Sequence, residues 1–477
     1  MFSRVCFHKK LPATFNQGLP ANRRADELIG ERFRSMRVTL ISHASAVIEC
    51  GDVVLWTDPW LFGRCFNNSW ALWPEPPQQL ILPWLPRITH LWISHEHPDH
   101  FHLPTLSWLP EEFKARVEIL FQKLHTDKMV TTFGQLGFRN VRTLGHRECV
   151  RLTDSASFYL YQEMPLDSAC ALTDLDRGHT VLNINDTNPD RIDRRVLRRD
   201  LPPIDLVLNQ FSFATYDGRL DVEAIATRHA KRVLERMRLD HEGLGAKATT
   251  PFASYMYFCR ADNAYLNRYA NTVQDVADCF AASRLELVLL RPGDTHTIGE
   301  HHDKAVALDY YRKLDSKEKR IDPAERVSPE SLEEEAKQLF QYLTAHYPKL
   351  LLRIVGRIRV LLPDIQCCYV FDFGRASVER ASSLNDWDVR ANSQPLFFAL
   401  KHPYGFQTLS ISGRFAIRNA EKRFLLLRLI TALGNSEIYL KPRYLFSWRF
   451  VTFVSSNALS LLHQFVSRIR VFWEFVS

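Results

Sequence analysis

The chain has 477 residues, 46% of them hydrophobic and 24% charged, a balance that excludes a disordered, collagen-like or low-complexity protein. Lys+Arg 61 against Asp+Glu 54 gives a net charge of +7, mild for this length, and the densest basic run, Arg191–Arg199, is broken by Asp193 and apolar residues, so no nucleic-acid partner is expected. No apolar run reaches the roughly 18 residues of a membrane span, no secretory leader is expected, and scattered cysteines without a Cys-x-x-Cys pair fit a reducing compartment, so the expected location is cytoplasmic.

Residues 1–35 are polar and turn-rich and read as an irregular arm. From Met36 the texture becomes β-branched: 36–50 and 53–61 read as strands joined by the Gly51-Asp52 turn. The Pro-rich stretch Trp73–Pro86 reads as a surface loop, and Thr89–Ile93 as a buried strand entering a polar, histidine-rich turn. Leu103, Leu106 and Leu109, three apart, predict a helix. Strand-like runs at 117–122, 140–144, 157–162, 168–174, 180–185 and 204–210, with helical stretches between groups, predict a layered α/β domain over 36–310. The charged segment 311–340 is a linker candidate, and Ser328 is placed to cap a helix whose first turn is acidic. The apolar, aromatic remainder, 341–477, is predicted as a C-terminal α+β accessory region. In it 367–373 and 406–415 read as strands, 421–433 as a helix, and 461–475 as an amphipathic helix for domain contact. The vicinal pair Cys367-Cys368 reads as core.

The chemistry concentrates in Ser94-His95-Glu96-His97-Pro98-Asp99-His100. Two imidazoles two residues apart on an extended turn can grip one cation, and the adjacent carboxylate and imidazole at 99–100 a second. Nitrogen and carboxylate-oxygen donors suit zinc, iron or manganese. His102 is expected to pack or face solvent. No Gly-x-x-x-x-Gly-Lys-Ser/Thr, Gly-x-Gly-x-x-Gly or Gly-x-Ser-x-Gly motif is present, so nucleotide loops and a serine-hydrolase elbow are not expected. Arg260, Asp262 and Asn263, after an aromatic run, read either as a polar cluster that fixes a substrate or as a surface helix start.

His-x-His-x-Asp-His after a buried strand resembles the signature of the metallo-β-lactamase superfamily, and 42–47 followed by 56–61 is similar to its paired opening strands. The resemblance implies a four-layer αββα sandwich. Within the superfamily, segments 58–70, 167–188, 209–215, 251–267 and 291–298 resemble the CMP-N-acetylneuraminate hydroxylase branch. Carried over position by position, the resemblance implies that His95 and His97 hold a first metal and that Asp99 and His100 hold a second. It also implies that Asp186 bridges the two and that Asp58 holds a histidine by its other nitrogen.

Two ligands of the family pattern are missing. Before the Asp-Ser-Ala segment this chain offers Glu163, Met164 and Asp167 but no histidine, so Asp167 is the expected replacement, making the site oxygen-richer and favouring iron over zinc. The stretch Thr250–Ser254 lacks the final histidine, and His296 is the nearest substitute. A further departure is the N-terminal arm. It gives only Cys6-Phe7-His8, half of the two-cysteine, two-histidine set of a Rieske cluster, so any oxidation is expected to draw electrons from a separate reductase or to work at a diiron centre. The expectation is an enzyme with one or two divalent ions, iron or zinc, acting as a hydroxylase on a small-molecule or carrier-bound substrate. The alternative is a phosphodiesterase- or lactonase-type hydrolase, with a metal-bound hydroxide oriented by Asp99.

Overall fold

In the computed structural model the described residues are 35–163, 167–437 and 439–440. Cys6 and His8 of the arm, Met164, and the segment 461–475 lie outside them. No helix among the described residues is long and apolar enough to cross a membrane.

The β-branched opening does not form one strand over 36–50. It forms β1 (Arg37–Ser42) and β2 (Ser45–Cys50), antiparallel, with an irregular register between Leu40 and Ser42. The chain reverses at His43-Ala44, where small neighbours fit a buried turn and side chains take over the backbone's partners: Ser42 Oγ donates to Trp60 O at 2.6 Å, and Thr57 Oγ1 to Ala44 O at 3.0 Å. A β-branched run carries no mark of such a turn, because alternation persists on both sides of it.

The first sheet continues through β3 (Val53–Thr57), β6 (His90–Ile93), β7 (Glu118–Gln122) and β8 (Asn140–Leu144), with β16 (Thr295–Thr297) on the far edge beside β1. The second sheet has the order β14 (Ala248–Phe252), β13 (Leu206–Gln210), β12 (Thr180–Asn185), β11 (Asp167–Asp174), β10 (Ala156–Glu163), β9 (Glu148–Arg151). Alternate residues of the first sheet serve two cores. Leu40, Ile48, Leu55 and Trp92 meet Leu160, Leu172 and Leu208 of the second sheet, while Val47, Trp56, Leu91 and Ile93 face outward. The outward set is covered by α1 (Leu103–Trp108), α2 (Glu111–Arg116) and α3 (Lys128–Gln135), through Leu106, Phe113, Met129 and Phe133. On the other side, Leu182 and Val207 are covered by α4 (Arg191–Asp200) and α5 (Val222–Leu244), through Leu197 and Leu244. The result is the four-layer αββα sandwich, and the basic run forms the largely solvated helix α4, opened by an Asp190–Asp193 capping box.

A small sheet of β4 (Arg64–Cys65), β5 (Trp70–Leu72) and β15 (Met256–Phe258) and the helices α6 (Val273–Ser283) and α7 (Ala305–Asp315) complete this part. The segment 311–340 contains the end of α7 and the start of α8 (Pro329–His346), whose first turn is capped by Ser328 Oγ accepting from Ser331 N at 3.3 Å. Beyond it lie α9 (Lys349–Val355), β17 (Arg357–Leu362), β18 (Cys367–Asp372), β19 (Ser377–Arg380) and β20 (Val389–Ala391). Then follow α10 (Ser393–Lys401), α11 (Gly405–Ile411), β21 (Phe415–Ile417) and α12 (Glu421–Asn435). These strands make a five-stranded sheet with a core of its own, against which Cys367 packs, while its neighbour in β18, Cys368, is also buried.

The strand expected over 406–415 is instead α11 followed by β21. Phe406 and Leu409, three apart, both enter the C-terminal core, and Gly405 sits on α10 so closely that a Cβ there would lie 2.5 Å from Phe398 O. Asp262 lines a cavity of about 400 Å³ together with Asn392 and Arg414, and Asn263 opens the short 3-10 helix Ala264–Arg268. Arg260 reaches Pro323 O and Glu325, Asp262 accepts from Arg414 and Asn392, and Asn263 Nδ2 donates to Ser412 O, so the cluster ties the sandwich to the C-terminal region.

Candidate metal centre

Four chain segments meet at one edge of the sandwich: the β1–β2 turn, the loop after β6, the start of β11 and the end of β12. The antiparallel pairing of β11 with β12 is what brings Asp167, first residue of β11, and Asp186, just past β12, to the same edge. The loop after β6 is fixed through its own backbone. Ser94 O accepts from Ser168 Oγ at 2.6 Å and from Gln122 Nε2 at 3.0 Å, and Ser94 N donates to Asp58 Oδ1 at 2.8 Å.

Three groups of candidate ligands have donor atoms within 4.8 Å of one another: His95, His97 and Asp167; His95, His100 and Asp186; and His43, Asp99 and His100. His95 Nε2 lies 2.8 Å from His97 Nδ1 and 3.7 Å from Asp167 Oδ1. His100 Nε2 lies 3.3 Å from Asp186 Oδ2 and 3.4 Å from Asp99 Oδ2, yet makes no hydrogen bond among the described residues, and neither does Asp99 Oδ1. A buried imidazole nitrogen without a hydrogen bond, facing two carboxylates, fits a cation between them, so the residues present suit a metal.

The surroundings orient these ligands. Asp58, fully buried and held at φ 35°, accepts from Ser94 Oγ at 2.7 Å and faces His100 Nδ1 at 2.8 Å, the role expected of it. Gln210 Nε2 donates to Asp186 Oδ1 at 2.8 Å and is itself held by Arg236 at 2.7 Å. Burial lowers the His95 imidazole to about 4, helped by His100. Burial alone would lower His100 too, but Asp99, Asp186 and Asp58 outweigh it and hold the ring well above its ordinary value. Asp167 is pushed up to about 6, by burial first and by the Asp186 charge, against the pull of His97. Glu163 is raised to about 8 by burial and donates nothing to the ligand groups; it accepts from Asn188 N at 2.6 Å.

Of the expected site residues, His95, His97, Asp99, His100, Asp167 and Asp186 are brought together and His296 is not. β16 pairs with β1 at Val38↔His296, about 17 Å along the strand from the His43 turn, and the His296 ring faces His302 beside a separate cavity of about 300 Å³. A histidine near the end of the domain fits the family spacing but lands on the wrong end of its strand. The imidazole that sequence reasoning missed is His43, whose Nε2 lies 3.2 Å from Asp99 Oδ2. The histidine-free stretch Thr250–Ser254 lies against it: Ala253 N donates to His43 O at 2.8 Å. A histidine in a run read as strand carried no signal beyond the small residues Ala44 and Ser45 that follow it. His102 caps α1 by accepting from Thr105 N.

A β-lactamase superfamily domain model matches residues 37–171. The cytidine monophosphate-N-acetylneuraminic acid hydroxylase of Asterias rubens is 28% identical over 261 residues, covering 50% of this chain and 37% of its own length. The inactive human protein of that name is 26% identical over 257 residues, covering 51% of this chain and 49% of its own. The chain thus spans half or less of the length of these relatives. Among solved structures, CmlA, a diiron β-hydroxylase from Streptomyces venezuelae, aligns with 18% identity and a TM-score of 0.35 over 46% of this chain and 45% of its own. Residues 37–171, in which the two facing sheets begin and the His-x-His-x-Asp-His loop lies, are thus similar to a β-lactamase superfamily domain.

Proposed function

We propose that the chain is an iron-dependent hydroxylase holding two cations, one at His95, His97 and Asp167, the other at His43, Asp99 and His100, with Asp186 between them. The observation that carries this reading is the donor chemistry: each of the three ligand groups is two imidazoles and one carboxylate, the set favoured by non-haem Fe(II) oxygen chemistry. Charge supports the pair of ions. Asp58, Asp99, Asp167 and Asp186 put four carboxylates in and around the site, and two divalent ions balance them. The similarity to hydroxylases supports the reaction class. Iron, when bound, supplies dioxygen activation, with electrons drawn from a separate reductase. The residues' part is to hold and orient: Asp58 fixes the His100 tautomer, and Gln210 fixes Asp186. The substrate is proposed as a small polar or carrier-bound molecule.

The test is metal analysis of protein purified anaerobically, then Fe(II) reconstitution and oxygen exposure. Two iron equivalents and oxygen consumption are expected. Tightly bound zinc, no oxygen consumed and turnover of phosphodiester or lactone substrates would replace this reading with the hydrolytic one.

A further inference from the structure

The C-terminal region touches the ligand loop at two places. Gln407, on α11, brings its carboxamide nitrogen, Nε2, to 3.2 Å from His97 Nε2. Asn435, the last residue of α12, donates to Glu96 Oε1 at 2.8 Å and accepts from Lys128 Nζ at 2.9 Å, and Lys128 also pairs with Glu96 at 3.8 Å. Glu96 lies between the two candidate ligands His95 and His97, so the loop that carries them is held from outside the sandwich as well as from within.

The two ring nitrogens of His97 have different neighbours. Nδ1 faces His95 Nε2 at 2.8 Å, in the group shared with Asp167, and Nε2 faces Gln407. A neutral imidazole that turns its Nδ1 lone pair toward a cation carries its proton on Nε2. That proton needs an acceptor, and the Gln407 carboxamide supplies one through its oxygen after a half-turn of the amide. A partner on the far nitrogen of a ligating histidine fixes tautomer and ring angle, and losing it typically weakens metal affinity about 10–100-fold.

We infer that Gln407 is a positioning residue for His97, so that the C-terminal region completes a cation site whose candidate ligands all come from the sandwich. The inference rests on the reading of His95, His97 and Asp167 as a cation site. It gives the accessory region a task at the metal centre that no feature of residues 341–477 announces in the sequence.

The experiment uses Co(II) as the probe, added anaerobically to the metal-free full-length chain, with the visible absorption bands and chelator competition as readouts. Gln407→Leu keeps approximate volume and removes the acceptor. It is expected to weaken Co(II) binding about 10–100-fold and to shift the absorption bands, while melting as a folded protein. Gln407→Glu restores an acceptor, charge-assisted, and is expected to bind Co(II) at least as tightly as the wild type. Wild-type affinity and spectrum in folded Gln407→Leu would overturn the inference. Looser binding in Gln407→Glu would overturn it too, whether or not the leucine variant folds. A His95→Ala, His97→Ala double variant that takes up Co(II) like the wild type would instead bring down the cation-site reading itself.

Discussion

Asp58→Asn tests the tautomer argument most directly, because it changes charge and proton placement with almost no change of shape. Asp58 is completely buried, and its oxygens take the Ser94 N–H at 2.8 Å, the Ser94 hydroxyl at 2.7 Å and His100 Nδ1 at 2.8 Å. A carboxylate only accepts, so with a cation bound His100 carries its proton on Nδ1 and turns the Nε2 lone pair toward Asp99 and Asp186. An asparagine whose oxygen keeps the Ser94 N–H presents its amino group to Nδ1. The proton then moves to Nε2, the nitrogen the cation needs.

Two costs follow. Hydrogen bonds to a charged group contribute about 1.5–3 kcal/mol against about 0.5–1.5 for neutral ones, so weakening three of them lowers stability by about 3–4.5 kcal/mol. Losing the partner of a ligating histidine weakens metal affinity about 10–100-fold, and the reversed tautomer puts this variant at the upper end. The assay is a Co(II) titration of metal-free protein alongside a urea melt. The wild type is expected to take two equivalents. Asp58→Asn is expected to keep the equivalent at His95 and His97 and to lose most affinity for the one at His100. Two equivalents bound with wild-type affinity in a folded Asp58→Asn protein would refute the tautomer argument. Asp58→Ala would be harsher, since it orphans three buried donors at about 1–3 kcal/mol each.

Asp167→Ala leaves His95 and His97 without their carboxylate and is expected to abolish tight binding of one cation, while Asp167→His is expected to shift the preference from iron toward zinc; metal analysis after growth with both ions checks each. Gly405→Ala places a methyl 2.5 Å from Phe398 O and 2.6 Å from Ala399 Cα, so it is expected to destabilise the protein by about 1–3 kcal/mol and to lower the thermal midpoint. In the C-terminal region, burial would raise the Asp388 carboxyl, but its bonds to Arg359 N and the Arg359 guanidinium outweigh this and hold it below the usual carboxylate range. A depressed folded value contributes stability that is complete above about pH 4 and lost as the pH falls through it, so the gap between wild type and Asp388→Asn in urea melts is expected to narrow on acidification.

The loop from His95 to His100 was legible because ligand spacing two apart after a buried strand is a local property, and the strand itself is marked by period. The layered α/β character was legible from strand-like runs alternating with helical stretches, while the four-layer sandwich was implied by the family resemblance. Asp167 and Asp186 were reached through family resemblance, and the β11–β12 pairing gives the physical reason they converge. What stayed hidden is tertiary. His43 sits in a turn inside a run with unbroken strand character, and only the register slip at Leu40–Ser42 exposes it. His296 was drawn in by order along the chain, which says nothing about which end of a strand a residue occupies. The run 406–415 alternates enough to read as a strand, yet Phe406 and Leu409 also satisfy helical spacing, and the close seat of Gly405 on α10 decides for the helix. Gln407 near His97 spans 310 residues of sequence, a separation that no local pattern can encode.

In the proposed two-ion centre, an aspartate rather than a histidine at position 167 sets the electrostatics of the whole centre, not one bond. With a neutral imidazole at 167, the carboxylates of Asp58, Asp99 and Asp186 would face two divalent ions and leave a net positive site. With Asp167 the four carboxylates and two ions balance. Burial pushes the Asp167 carboxyl up to about 6, and Asp99, Asp186 and Asp58 hold the His100 ring above its ordinary value, so charges in this centre need compensation. Burial makes such compensation necessary, since an unpaired buried charge costs several kcal/mol. A charge-neutral pair of ions with oxygen-rich ligands can lose an electron from each ion at smaller electrostatic cost than a cationic one, because the added positive charge is opposed by carboxylates already in place. If the centre holds the two ions proposed, a carboxylate at residue 167 favours redox chemistry, and the identity of that residue bears more on the choice between oxidation and hydrolysis than the His-x-His-x-Asp-His loop, which serves both.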